Sequence, residues 1–179
     1  MVVALSPEPA RTRPDLLAAP VAAALATWPA ADQVEVAEID PELADTAAFC
    51  ERYGEPLGRS ANCVIVAGRR GDVSRLAAVL VLATTRADVN GLVRRHLGAR
   101  KVSFASMDTA VAETGMEYGG ITPVGLPPGW PLLIDAAVAA AQVVVVGSGI
   151  RRSKLWVPGP SLAALPGAEV LEGLGIAAG

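Results

Sequence analysis

Histidine is nearly missing from this 179-residue chain, which holds His96 alone, and cysteine is limited to Cys50 and Cys63. That set cannot furnish a four-ligand Cys/His zinc site, and the two thiols read as reduced core side chains, not a disulfide. No metal is expected. His96 sits in an Arg-rich stretch that reads as solvated surface, which argues against a His-based triad. Aromatic residues make up only 4%, and none interleave with the charges as stacking platforms for single strands require. The most apolar stretch, residues 132–150, is interrupted by Asp135, Gln142, Gly147 and Ser148, short of the roughly 20 residues that span a bilayer. No membrane partner is expected. Residues 1–5 are apolar, but no base precedes them and Pro7 and Pro9 follow, which is not a secretory pattern. The expected location is cytoplasmic.

What the chain does have is apolar mass. Hydrophobic residues reach 52% against 18% charged, and the mean hydropathy is +0.42, so disorder over most of the length is excluded. The length suits a single core. We expect residues 1–33 to form a helical extension packed on one domain over 34–179. Net charge is −3, unevenly placed. Residues 1–59 hold ten acids and four bases; residues 60–179 hold eight acids and eleven bases. The bases cluster at Arg69, Arg70 and Arg75, then at Arg86, Arg94, Arg95, Arg100 and Lys101, then at Arg151, Arg152 and Lys154. Such clusters serve either as phosphate contacts or as solvated faces.

Apolar spacing predicts a helix over 11–26, a half-buried strand over 34–39 and a helix capped by Asp45. Residues 62–67 and 76–83 read as an antiparallel pair joined by a turn at 68–72. A helix opened by Asp88 and closed by Gly98, a strand over 101–104, and a helix between Ser106 and Gly115 follow. Strands are expected over 132–134, 143–146 and 154–157, with Asp135 opening a short helical turn. Residues 161–165 and 169–174 read as terminal helical pieces. Helices interspersed with hairpin-linked strands predict an α+β fold: a mixed, largely antiparallel sheet with surrounding helices. No internal repeat, Walker sequence or Gly-x-Ser-x-Gly elbow is present.

Residues 143–152 begin like a dinucleotide fingerprint, with a hydrophobic strand running into Gly147-Ser148-Gly149. Arg152 occupies the third glycine position, and the following residues read as strand where a long helix is needed. No cofactor is expected. The loop Gly119-Gly120-Ile121-Thr122-Pro123-Val124-Gly125 is more informative, since it concentrates glycine and proline ahead of a buried strand.

Gly119 and Pro123 in a Gly-x-x-x-Pro arrangement, the strand ending in Asp135, and the Gly147-Ser148-Gly149 turn leading to Lys154-Leu155 together resemble the YbaK/prolyl-tRNA synthetase-associated domain family. The order of elements agrees over roughly residues 34–174. The resemblance implies a trans-acting aminoacyl-tRNA deacylase that hydrolyses the ester of a small mischarged amino acid, with tRNA as partner and no DNA. It implies catalytic groups at Gly119, Gly120, Thr122, Pro123 and Asn62, main-chain donors in the loop, and help from the substrate's ribose hydroxyl. It implies substrate contacts at Asp135, Gly147, Ser148, Gly149, Arg86 and Arg151. A bulky residue at Gly119 or Gly120 is then expected to block the site and leave the fold largely intact. One departure stands out: the family's strand lysine is replaced here by Asn62, which removes a charge-assisted contact of about 1.5–3 kcal/mol. Arg86 or Arg151 is the expected substitute. The alternative is a family-like module that binds tRNA ends or another small ligand without deacylation.

Overall fold

The computed structural model describes residues 1–178. In chain order its strands and helices are β1 (Glu8–Pro9), α1 (Ala19–Thr27), β2 (Glu35–Glu38), α2 (Thr46–Tyr53), β3 (Ala61–Arg70), β4 (Val73–Leu82), β5 (Thr85–Ala87), α3 (Arg94–His96), β6 (Lys101–Phe104), α4 (Met107–Thr114), β7 (Leu132–Asp135), α5 (Ala136–Ala139), β8 (Val144–Gly147), β9 (Ser153–Val157), α6 (Gly159–Ala163), β10 (Ala168–Leu171) and β11 (Gly175–Ala177). One sheet has the order β1-β2-β9-β8 and a second the order β10-β7-β4-β3-β6, while β11 pairs with β5. β7 runs parallel to both of its neighbours, and every other strand pair among the described residues is antiparallel. The fold is therefore the mixed, largely antiparallel α+β arrangement that the sequence predicts. No helix among the described residues is long and apolar enough to cross a membrane.

Strand alternation divides the core into layers. Leu132 and Ile134 of β7, Ala78 and Leu80 of β4, and Val144, Val146, Leu155 and Val157 of the first sheet fill the space between the sheets, with Val21 and Leu25 of α1. The residues in between point the other way, since successive side chains of a strand face opposite sides. Val79, Val81 and Leu133 pack under Val89, Val93 and Leu174, whereas Val145 and Trp156 pack under Phe49 and Cys50 of α2. Both sheets are thus covered on both faces. That coverage explains the continuous apolar runs of β4 and β8.

Two predicted elements differ. The helix expected over 11–26 starts only at Ala19, because Arg13 before Pro14 is held at φ −128°, ψ 60°, outside the helical region, and Pro20 fits the first turn of a new helix. Two short 3-10 turns replace its first half. The segment expected to be helical over 169–174 is instead β10 and its following turn, because the free edge of β7 recruits it as a parallel strand, with Glu169 opposite Leu133. Asp45 stands at the start of α2 as expected, but its side chain makes no capping hydrogen bond. Asp88 accepts from the Gly91 and Leu92 amides at 3.1 and 2.7 Å, although the turn it opens is a π-helix over Val89–Val93.

The glycine loop and the 147–149 turn interlock through their backbones. Gly149 N donates to Gly120 O at 2.8 Å, and Glu117 N donates to Gly149 O at 2.8 Å. A Cβ at Gly120 would stand 2.6 Å from the Ile150 carbonyl, and one at Gly147 would collide with Gly120 O and stand 2.7 Å from Ile121 O. Gly120 is therefore a packing residue, contrary to the expectation that a bulky replacement there spares the fold.

Gly147→Ala should accordingly lower stability by about 1–3 kcal/mol, since the added methyl meets main chain that cannot rotate away. Thermal unfolding of the variant beside the native chain reads this directly, and an unchanged midpoint would show that the two backbones are free to separate.

Candidate functional site

β3 pairs with β4 over its whole length but with β6 only from Val66 to Arg69, and Ile65 O accepts from Ala105 N at 2.9 Å, so the stretch from Ala61 to Val64 presents an outer edge without a partner strand. Unpaired strand edges offer main-chain donors and acceptors to a ligand. Beside this edge lies a cavity of about 450 Å³, within the rough 300–1,000 Å³ range of small-ligand sites. Five parts of the fold wall it: the start of α2 with Ala44, Asp45 and Thr46; β3; Phe104 and Ala105 after β6; Tyr118, Gly119 and Ile121 of the glycine loop; and Gly147 with Lys154 from the paired strands β8 and β9. Its floor is apolar, with Ala61, Ile65, Ala110 and Ile121.

The structure brings together some of the sequence candidates. Asn62, Gly119 and Gly147 line the cavity. Asn62 Oδ1 accepts a 2.7 Å hydrogen bond from Thr46 Oγ1, which fixes the amide. Gly119 has φ +87°, and a side chain there would run into the Arg151 guanidinium. Its N–H and that of Ile121 donate to no carbonyl among the described residues, whereas Gly120 N is spent on Glu117 O at 3.0 Å. Arg86 lines an adjoining recess of about 350 Å³ that shares Asn62, Val64 and Phe104 with the cavity.

Other candidates lie elsewhere. Arg151 is a brace: its guanidinium donates to Pro41 O at 3.0 Å and to Tyr118 O at 3.3 Å, holding the loop against the chain before α2. Ser148 is fully buried, 2.6 Å from Ser153 Oγ, and Ser153 in turn donates to Leu16 O at 2.6 Å, so these hydroxyls pin the amino-terminal segment. Gly149 packs against Ala18 and Val21. Thr122 is fully buried outside the cavity lining, with a hydroxyl that has no partner among the described residues, and Pro123 faces an apolar hollow with Trp28 and Trp130. Asp135 is buried at the end of β7 beside Gly175, and its side chain neither caps α5 nor lines the cavity.

Lys154, which the sequence places in a basic cluster and at the start of a strand, is not among the site residues expected from it. Lys154 is 7% exposed; its Nζ donates to Ala44 O at 2.8 Å and stands 5.5 Å from the centroid of the Phe49 ring. Burial pushes its ammonium down to about 8, partly opposed by Cys50 and Asp45 and helped by Arg151. Cys63, Thr46, Phe104 and Tyr118 were missed as well. Burial holds the Cys63 thiol up at about 12, so this wall of the cavity carries no thiolate nucleophile at neutral pH. Phe104 and Tyr118 are large exposed aromatics at the rim.

Solved structures share this architecture. A candidate trans-editing enzyme for prolyl tRNA synthetase matches with a TM-score of 0.73 and 24% identity, covering 87% of this chain and 94% of that one. A protein from a study of epitope backbone grafting onto scaffolds matches with a TM-score of 0.73 and 24% identity, over 87% and 95% of the two chains. Hypothetical protein APE2540 matches with a TM-score of 0.70 and 22% identity, over 80% and 91%. The sequence profile of the aminoacyl-tRNA editing domain matches residues 40–165, which include the bare edge of β3, the glycine loop and Lys154. With that match running through every wall of the cavity, the chain belongs to the aminoacyl-tRNA editing domain family.

Proposed function

We propose that the protein is a trans-acting deacylase that removes a small, wrongly attached amino acid from tRNA in the cytoplasm, without metal or cofactor. The observation that carries the reading is the convergence on one cavity of unspent donors and an apolar floor. Gly119 and Ile121, whose N–H groups find no carbonyl among the described residues, line it together with Asn62, Ala61, Ile65 and Ala110. Carbonyl groups on the bare edge of β3 suit the α-ammonium of an aminoacyl group, and the apolar floor suits a short side chain.

Hydrolysis needs a water oxygen to bond to the ester carbon while the carbonyl π pair moves onto oxygen. Collapse of that intermediate breaks the bond to the ribose oxygen, which takes up the proton released from the water. Free amino acid and tRNA with a free terminal hydroxyl result. Donors aimed at the developing oxyanion lower this barrier, and losing one typically costs about 10²–10³ in rate. The ribose hydroxyl adjacent to the ester sits where it can position the water, so a His base is not required.

The tRNA end enters past Phe104 and Tyr118, with Arg86 in the adjoining recess available to a phosphate. Arg151 is not the substitute for the absent strand lysine, because its guanidinium is committed to the two carbonyls it braces.

Incubating the purified protein with tRNAs mischarged with alanine, serine, threonine and cysteine tests the reading. Cleavage of at least one is expected. Rates among the four should differ by less than about 200-fold, the most an apolar pocket gains from one methylene or hydroxyl. Intact ester bonds across the whole panel would overturn the proposal.

Arg86→Ala should weaken tRNA binding at every sequence and reduce the salt slope of log Kd by about 1, as expected for one phosphate contact. Titrations at several salt concentrations measure both effects. Asn62→Lys should lower the deacylation rate by about tenfold or more, since it breaks the Thr46 bond and sets a second cation in the cavity that already holds Lys154. A faster Asn62→Lys enzyme would instead show that the amide is a defect.

A further inference from the structure

We infer that the Lys154 ammonium is the positive charge that holds the oxyanion formed when the ester carbonyl is attacked, an assignment that rests on the hydrolytic reading above. Lys154 stands opposite Gly147 in the β8–β9 ladder and shares the cavity wall with Gly119 and Ile121. Its ammonium carries three donors, and the structure uses one of them, toward Ala44 O. No carboxylate lies within ion-pair distance of it among the described residues. Fully buried lysines are rare unless paired, because moving an ammonium out of water is expensive. A cation kept without a counterion at the wall of a cavity is suited to an anion that arrives only with the reaction.

The charged and titratable groups around it fit that role. Asp45 and Cys50 approach from the α2 side and Arg151 from the turn before β9, while the Phe49 ring lies on its other side. Asp45 and Cys50 favour the ammonium, and Arg151 and burial oppose it, leaving the group charged at neutral pH and losing its proton near 8. The folded value lies below the ordinary 10.5 of lysine, so the buried charge opposes folding at neutral pH. That cost disappears as pH rises from about 8 to 10.5, where the folded state has released the proton and the unfolded state still holds it. A residue kept for stability has the opposite signature.

The test combines Lys154→Met, Lys154→Arg and the native chain. Lys154→Met should unfold at the same or a higher temperature, keep KM within about threefold, and lose about 10²–10³ in kcat. Lys154→Arg should recover part of kcat, and the fall in native kcat above pH 8 should be absent from it, because a guanidinium does not titrate there. Native kcat should fall in step with the titration of Lys154 followed by NMR on lysine-labelled protein, where Lys101 gives the only other signal. Lys154→Met with kcat within about threefold of native would overturn the assignment. If Lys154→Met fails to fold, the native comparison decides: coincidence of the two titrations supports the assignment, and divergence overturns it.

Should the native chain cleave no ester, the hydrolytic reading fails on its own terms, and calorimetry still judges Lys154. An adenosine 3′-(1-aminoethyl)phosphonate ester carries the anionic oxygen that the neutral 3′-alanylamide lacks. Native protein should prefer the phosphonate by about tenfold or more, and Lys154→Arg should keep that preference while Lys154→Met loses it. Equal affinity of native protein for the two compounds would overturn the proposal.

Discussion

The cavity exists because two sheets that share one core come apart along a single edge, and a glycine interlock holds them at that separation. Ser60 bridges to Val145 at one end of the gap, and the Gly120 carbonyl bonds to Gly149 N at the other. Between them β6 stops at Phe104 and its last tie is Ala105 N to Ile65 O, so Ala61 to Val64 have no strand on that side. Gly147 is where β8 passes under the loop with no room for a methyl group. The close passage sets the height of Gly119 and Ile121 above β3, and through the β8–β9 register it also sets where Lys154 emerges. Arg151 adds a second tie by joining the loop to Pro41, ahead of α2. The site is thus a by-product of sheet geometry, framed by main chain more than by side chains.

Legibility in the sequence follows from this. Alternation identified β2, and short apolar runs bounded by turn residues identified β3, β4, β6, β7, β8 and β9, because most of these strands are covered on both faces. The signals failed where partners are distant. Residues 169–174 look helical in isolation, yet 168–171 become β10 because β7 has a free edge, while Arg13-Pro14 cuts a helix that apolar spacing alone would continue. Among the site candidates, Asn62, Gly119 and Gly147 reached the cavity, being a residue of the bare edge and two glycines at the interlock. Gly120, Ser148 and Gly149 are as glycine-rich or small in sequence, but their backbones are used to close the interlock and to hold the amino-terminal segment. Only the folded geometry separates the two groups. Lys154 offered one overlooked signal: it lies two residues from Trp156 and shares its strand face, so a face apolar enough for tryptophan was also the face receiving the lysine.

The bases of the 151–154 stretch show how local chemistry divides what composition lumps together. Arg151 and Arg152 have planar, multiply donating heads, and both are used on backbone carbonyls, of Pro41 and Tyr118 in one case and of Asp15 in the other. Lysine has a compact head that one carbonyl satisfies incompletely, and burial moves its titration into a useful range where a guanidinium would stay charged. Bonding the two arginines internally leaves fewer bases for phosphate than the three sequence clusters imply, so on the proposed function the electrostatic share of tRNA affinity would rest on fewer contacts. On that reading, discrimination would fall to the aminoacyl end of the substrate. There an apolar floor limits what ground-state binding can distinguish. For the proposed deacylase, selectivity would then come from the reacting geometry: how well the ester carbonyl of each aminoacyl group is presented to Gly119, Ile121 and Lys154 at once.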